Sequence, residues 1–353
     1  LFRQKIVDGY QAELPDNWLR HRNPWEVRDH STSVLVKFGG EVTLDKSDPD
    51  GYYEAVYENT DDVLAVAYDT PMIGYNLSTV NTMRLWSAEV PPEEEEEGLV
   101  TKEKYEAVEE ITDFLYPDDT HYEGKLLRLK QEYFFVSAGI QTIVKTFRKY
   151  GVTRKEMPEK VAIHINDTHP ALAIPELMRI LLDEEKLTWE QAWEITTNTC
   201  AYTNHTVLRE AMETWPCDMV KSLLPRIYMI IEEIDRRYVE QNTPLYGKSL
   251  TQSTRPIQGN YVHMAHLAII GSHSVNGVAG LHSQILYEDV LSDFSEMAPH
   301  KFNNKTNGIT QRRFLHVANP ELSELITECI EEDWLTNPAS MKVFLAYQND
   351  KTV

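Results

Sequence analysis

The sequence runs to 353 residues, with 56 acidic against 34 basic side chains and a formal charge of −22 when histidines are neutral. At ~150 residues per domain this is one large domain or two ordinary ones, long enough to bury a sizeable core. Hydrophobic and charged fractions of 42% and 25% are those of a globular protein. No apolar run approaches the ~18 residues of a transmembrane helix, and the acidic balance argues against nucleic acid or an anionic membrane as partner, since both need a basic face. Three scattered cysteines (Cys200, Cys217, Cys329) form no C-x-x-C pair and fit a reducing, cytoplasmic setting. The chain opens on Leu1 with no basic and apolar leader, and reads as a piece of a longer protein.

In chain order, residues 33–42 alternate apolar and polar as a half-buried strand, and residues 52–57 and 63–67 read as further strands around a polar loop at 58–62. Residues 69–74 (Asp-Thr-Pro-Met-Ile-Gly) carry turn chemistry. The opening third is therefore expected to be strand-rich and antiparallel. Pro91-Pro92 and the carboxylates Glu93–Glu97 predict a hydrated surface loop. From Lys102 the pattern is helical, and spacings of three and four from Leu126 to Phe147 predict one long amphipathic helix over 123–150, stopped by Gly151. Val161–Ile165 reads as a buried strand, followed by a helix from about Ala171, broken or kinked near Pro175. Thr188-Trp-Glu-Gln191 is a capping-box start for a helix through Thr197. Residues 199–203 form a second short strand, then a turn at 204–206 and a helix; 217–240 and 261–279 read as two more helices. Strands alternating with helices predict an α/β fold with a parallel sheet.

No G-x-G-x-x-G or Walker-type loop is present, and Gly271-Ser-His-Ser-Val-Asn-Gly277 falls inside a helical pattern. The polar cluster Asn166-Asp-Thr-His-Pro170 directly follows a strand, where open parallel sheets place ligands. Asp167 could charge or orient a base there, or simply cap the next helix. Tyr202-Thr-Asn-His-Thr206 follows the next strand, which brings His205 within reach of Asp167 as a carboxylate–imidazole pair; a structural histidine is the competing reading. A metal shell from His164, Asp167 and His169, with His263, His266 and His273 nearby, is disfavoured because His164 alternates away from the strand end. Asp118-Asp119 resembles a carboxylate pair for glycoside hydrolysis, but adjacent residues rarely flank one bond from both sides. Trp18, Trp25, Tyr52, Tyr53 and Trp86 could stack on sugars or fill the core.

Taken together, these segments resemble the α-glucan phosphorylases (glycogen, starch and maltodextrin phosphorylases). The matching stretches include Asn23-Pro-Trp-Glu26, Asn81-Thr-Met-Arg-Leu-Trp-Ser-Ala88, Arg128-Leu-Lys-Gln-Glu-Tyr133, Asn166-Asp-Thr-His-Pro170, Tyr202-Thr-Asn-His-Thr-Val207, Gly271-Ser-His-Ser-Val-Asn-Gly277 and Phe302-Asn-Asn-Lys-Thr-Asn-Gly-Ile-Thr310. The resemblance implies a GT-B type glycosyltransferase fold: residues 1–100 as a strand-rich part of the N-terminal domain, 101–306 as its α/β part, and 307–353 as the start of the C-terminal domain. It implies reversible phosphorolysis of the terminal α-1,4-glucosyl unit of a glucan or maltodextrin to glucose 1-phosphate, pyridoxal phosphate as cofactor, and a homodimer. By residue, His205 matches the histidine beside the glucosyl ring, Asp167 the carboxylate that holds it, and Asn307 the asparagine that binds sugar hydroxyls. His169 lies near the oligosaccharide path, while Asp119 and Thr120 occupy the gating loop.

Departures from the family pattern shape the expectation. Lys145-Thr146 stand before Phe147 where animal enzymes carry an arginine pair, so control by adenosine monophosphate is not expected. Gln311, Phe314 and Arg209 replace the usual Pro, Trp and Pro, and the pattern is closer to bacterial maltodextrin-type members. The cofactor-lysine run Gly-Thr-Gly-Asn-Met-Lys is absent, so the chain alone is expected to be inactive. The alternative from another class is a maltooligosaccharide-binding fragment without catalysis; a third is a metal-dependent hydrolase.

Overall fold

Alternating side chains at the start of the chain become antiparallel sheet. The computed structural model describes residues 4–13, 23–45, 54–96, 98, 100–151 and 153–351. β1 (Gln4–Val7) and β2 (Tyr10–Glu13) pair as a hairpin. They are followed by β3 (Val27–Phe38), β4 (Glu41–Asp45), β5 (Glu54–Glu58), β6 (Asp61–Ile73) and β7 (Val80–Glu89), which form the sheets β3-β6-β7 and β4-β5. The single strand expected over 33–42 is two: Gly39 and Gly40 turn the chain at φ 58° and 74°, and a Cβ on Gly40 would lie 2.5 Å from the Glu58 carbonyl oxygen. The turn expected at 69–74 is strand as far as Ile73, with Asp69 in register with Val27 and bonded twice by Arg84. Trp18, Tyr52 and Tyr53 lie outside the described residues.

The acidic run, expected as a loop, closes a short helix, α1 (Pro92–Glu96), whose Glu94 and Glu95 are bonded by Lys104 and the Tyr105 hydroxyl. α2 (Lys102–Asp113) and the long α3 (Tyr122–Lys149) follow as their periodicity predicts, with Gly151 at φ 66° just beyond α3. After α4 (Met157–Lys160) come β8 (Ile163–Asn166) and α5 (Ala173–Arg179). Pro175 does not break α5, because it sits in the first turn, where the missing N–H has no helical partner to lose. The irregularity comes later, as a π turn at Ile180–Glu184. α6 (Trp189–Thr199) starts on the predicted Thr188/Gln191 capping box and leads into β9 (Cys200–Thr203).

The helix expected after residues 204–206 is a single 3-10 turn, Arg209–Ala211, ahead of β10 (Thr214–Pro216). The helix expected over 217–240 is split into α7 (Cys217–Leu223) and α8 (Pro225–Thr254), because Leu224 precedes a proline and leaves the helical region. Residues 261–279 are not one helix either. They hold β12 (Tyr261–His263), which follows β11 (Ile257–Gln258), then α9 (Met264–Ile270) and β13 (Ser274–Gly277). α10 (Gly280–Ile285), α11 (Ser292–Met297), β14 (Phe302–Asn304) and α12 (Pro320–Ile330) complete the chain.

The α/β expectation holds. The central sheet has the order β14-β13-β9-β8 and is parallel throughout. Gly271–Gly277 supplies its third strand rather than a helix. Gly271 itself is fixed by packing, since a Cβ there would come within 2.5 Å of Ile174 on α5. No helix among the described residues is long and apolar enough to cross a membrane.

The chain divides into two compact units, residues 1–72 with 81–304 and residues 73–80 with 305–353. In the second, Ile326 and Trp334 are buried, Trp334 bonds Thr327, and Arg312 lies 4.7 Å over the Tyr75 ring. In the first, the core runs from the inner face of β3 and β6 through α3 and α5 to the parallel sheet.

One charged residue sits wholly inside that core. Glu176 on α5 has no exposed surface and accepts from Tyr133 and Ser137 on α3, each at 2.8 Å, and from Arg179 at 2.8 and 2.9 Å. Replacing Glu176 by alanine strips the Arg179 guanidinium of its buried partner, leaving the more exposed Glu184 at 3.2 Å, and should cost about 3–5 kcal/mol, read as a fall in the urea midpoint. A loss below about 1 kcal/mol would show that the network does not hold α5 on α3.

Candidate functional site

Register brings the carboxyl ends of the four parallel strands to one edge: Asn166 faces Thr203, Thr203 faces Asn276, and Gly277 faces Asn304. The edge is bonded across as well as along the ladder. The His164 ring meets Thr203 Oγ1 at 2.5 Å, and that hydroxyl donates to Asn276 Oδ1 at 2.9 Å. Asn204, fully buried, donates its N–H to the Asn276 carbonyl and its amide Nδ2 to the Tyr202 hydroxyl. Ser283 at the start of α10 donates to Asn304 Oδ1 at 2.7 Å.

Both predicted residues of the strand ends lie on this rim, but not as the expected pair. Asp167 adopts φ 64°, donates its N–H to the Thr203 carbonyl, and accepts from the Thr168 N–H at 2.6 Å, so its carboxylate closes the entry to the following turn. The His205 ring, exposed, bonds Asn166 Oδ1 through Nε2 at 2.7 Å. His164 turns away from buried Ile163 and Ile165, as alternation predicts.

His169 sits one step further out. Its Nδ1 is 3.9 Å from Glu132 on α3 and 3.8 Å from Glu213. Glu213 is held by Thr168 Oγ1 at 2.7 Å and Trp215 Nε1 at 3.2 Å, while Arg128 approaches Glu132 at 3.4 Å and reaches Asp119 at 3.2 Å. Arg128, Glu132 and His169 border a cleft of about 420 Å³ walled by Leu115, Tyr116, Phe135 and Pro170. Burial, reinforced by the Glu213 carboxylate, raises the Glu132 carboxyl well above its ordinary range against the smaller pull of Arg128. Its Oε2 is buried without a bonded partner.

The loop before α3 is built by its own side chains. Asp118 accepts from both the N–H and the hydroxyl of Thr120, at 3.1 and 2.7 Å, and these bonds hold its carboxyl below the ordinary range. Gly124 allows the loop to close, since a Cβ there would overlap the Asp118 carbonyl oxygen at 1.8 Å. Asp118 and Asp119 thus face a turn and an arginine rather than a common bond. Asn307 belongs to the second unit, in an exposed stretch without regular structure. The metal shell weighed from the sequence does not assemble: His164 is on Thr203, Asp167 on Thr168, and His263 stacks on His266 at 5.0 Å between centroids. The group with ligand-like spacing among the described residues is Glu132, His169 and Glu213, within 4.8 Å of one another, and Arg128 already places a positive charge against it.

The family described as carbohydrate phosphorylase matches residues 1–353, and the chain belongs to it. It is 51% identical over 353 residues to a glycogen phosphorylase of Bacillus subtilis (strain 168), covering 99% of this chain and 44% of that protein. It is 47% identical over 370 residues to the brain form of glycogen phosphorylase from Pongo abelii, covering 99% and 43%. With the muscle form from Bos taurus it shares 45% over 371 residues, covering 100% and 43%. The chain thus spans less than half the length of these relatives.

The residues present do not fit the family's aldehyde cofactor. No lysine stands on the rim at 166–169 or 202–206. Lys301, which burial lowers to about 8, spends its ammonium on the Ile269 and Ile270 carbonyls at the end of α9.

Sequence reading missed Asn166 as the partner of His205, and missed Glu132 and Glu213. An Arg128/Glu132 pair at i, i+4 was the one available signal for the second; nothing near Glu213 distinguishes it from a surface carboxylate.

The state of Glu132 is testable through stability. A carboxyl raised in the fold contributes in full below its ordinary value of 4.5, and the contribution is lost as pH rises from there through the raised value. Glu132→Gln removes that decline. The stability of the variant, read from urea unfolding, should gain on the parent as pH rises above 4.5, with a slope of up to ~1.4 kcal/mol per pH unit. A difference independent of pH would show that Glu132 is ionised throughout.

Proposed function

We propose that the protein to which this chain belongs is an α-1,4-glucan phosphorylase, a retaining hexosyltransferase that transfers the terminal glucosyl unit of glycogen or a maltodextrin to phosphate, giving glucose 1-phosphate. The observation that carries the reading is the match of the phosphorylase family along all 353 residues, joined to a polar rim at the carboxyl ends of the parallel sheet, where ligands of such sheets sit. In this reading His205 and Asp167 stand at the glucosyl site and Asn307, at the start of a second domain over 307–353, binds sugar hydroxyls. His169 borders the oligosaccharide path beside Glu132 and Glu213. Asp119 and Thr120 form the gating loop over the cleft, with Asp119 tied to Arg128.

Pyridoxal phosphate is carried elsewhere in the whole protein, since the 353 residues contain no cofactor-lysine run, and this chain by itself is inactive. The protein works as a cytoplasmic homodimer of the maltodextrin type. Adenosine monophosphate exerts no control, because Lys145 and Thr146 replace the expected arginines and Lys145 is spent on the Ser31 carbonyl.

The test is glucose 1-phosphate release from maltoheptaose and phosphate by the protein expressed from its complete reading frame. Phosphate-dependent release is expected from the whole protein and none from the 353 residues; no release from the whole protein would sink the reading. Asn307→Ala in the whole protein should lower kcat/KM roughly 10- to 100-fold, the loss of one or two hydrogen bonds to a bound sugar. Maltopentaose binding without turnover would favour a glucan-binding protein instead.

A further inference from the structure

Asn166 stands where strand alternation and ladder register converge. Ile163 and Ile165 point into the core, so His164 and Asn166 share the opposite face of β8. Asn166 is also the last residue of β8 in register with β9, opposite Thr203. Its side chain therefore lies beside the segment that continues from Thr203 to His205. That segment is fixed from below: Asn204 is bonded through its N–H, its Nδ2 and its Oδ1, the last accepting from the Thr206 N–H at 2.9 Å. On the other flank, the Val278 N–H donates to His282 Nδ1, so the proton of that ring is on Nε2, and the His205 backbone is a polar neighbour of the ring. The backbone at His205 is thus held, and what remains to be set is the imidazole.

The group that sets it is a carboxamide. A carboxamide oxygen only accepts, so the His205 nitrogen 2.7 Å from Asn166 Oδ1 carries a proton, and in the neutral imidazole the other nitrogen then keeps its lone pair. Asp167 cannot take this role from where it stands. Its left-handed backbone turns it off the strand, and its carboxylate accepts from Thr168. A carboxylate in the Asn166 position would favour the doubly protonated ring and abolish the acceptor.

We propose that Asn166 is the positioning residue of His205: its amide oxygen holds the imidazole as the Nε2–H tautomer and leaves Nδ1 as an acceptor for a ligand hydroxyl. The role rests on the glucan reading only for the identity of that hydroxyl.

Two readouts separate the two ideas. In the whole protein, the rate at which diethyl pyrocarbonate modifies His205, followed by mass spectrometry of its peptide across pH, reports which ring nitrogens are free without requiring turnover. Asn166→Ala should raise that rate severalfold by freeing Nε2. Asn166→Asp, nearly isosteric and so a guard against misfolding, should shift the pH midpoint of the reaction upward, and Asp167→Asn should leave rate and midpoint as in the parent. In phosphorolysis, Asn166→Asp should raise KM more than it lowers kcat near neutrality and recover toward the parent at higher pH, which a merely structural lesion would not do. If Asp167→Asn moves the His205 labelling while the Asn166 variants do not, the proposal is overturned. If the labelling follows Asn166 but the parent releases no glucose 1-phosphate, the glucan reading fails and the positioning role stands.

Discussion

The buried carboxylate of Glu176 is the constraint on which the site depends. α5 begins a few residues after the rim at 166–170, while α3 carries Arg128 and Glu132. Glu176 bonds two α3 side chains and its own Arg179 without any contact with water. A charge so placed is tolerated only where every partner is in position, because desolvation is offset by that geometry and by little else. The requirement locks the rotation and height of α5 against α3. In doing so it sets the spacing between the strand-end residues and the carboxylates on the helix. Tyr57, Asp183 and Arg226 repeat the arrangement at the other end of α5, where Asp183 takes three bonds from Arg226 and one from the Tyr57 hydroxyl.

Glu132, His169 and Arg128 line the cleft, and Asp119 and Glu213 stand behind Arg128 and His169. Such a surface exchanges hydrogen bonds with a neutral, hydroxyl-rich molecule. In the proposed reaction it suits the sugar, whereas phosphate needs a basic pocket of its own.

Much of the architecture was legible because its elements are strongly periodic. α3 keeps spacings of three and four for 28 residues, and β8 is short, apolar and bounded by polar punctuation. The errors arise where local pattern is ambiguous. Residues 261–279 are apolar enough for a helix, yet a strand–helix–strand unit buries the same side chains, and burial is what the pattern reports. The acidic run closes a helical turn because Lys104 and Tyr105 bond two of its carboxylates from the next helix, which no local rule can see. Pro175 was read as a breaker when its position in the first turn makes it harmless. At the site, the family resemblance pointed to Asp167 as the partner of His205. The neighbour one residue earlier holds the ring instead, because a single positive φ redirects the aspartate. That outcome depends on backbone conformation and was not available from spacing.

The bonds that run across the strand ends are made by uncharged groups. Asn166, Thr203, Asn204 and Asn276 form a layer of amides and a hydroxyl across the strand ends, and the carboxylates of Glu132 and Glu213 stand one layer beyond it. Neutral donors and acceptors orient a histidine without biasing it toward the charged form, whereas a carboxylate at the same distance would do both.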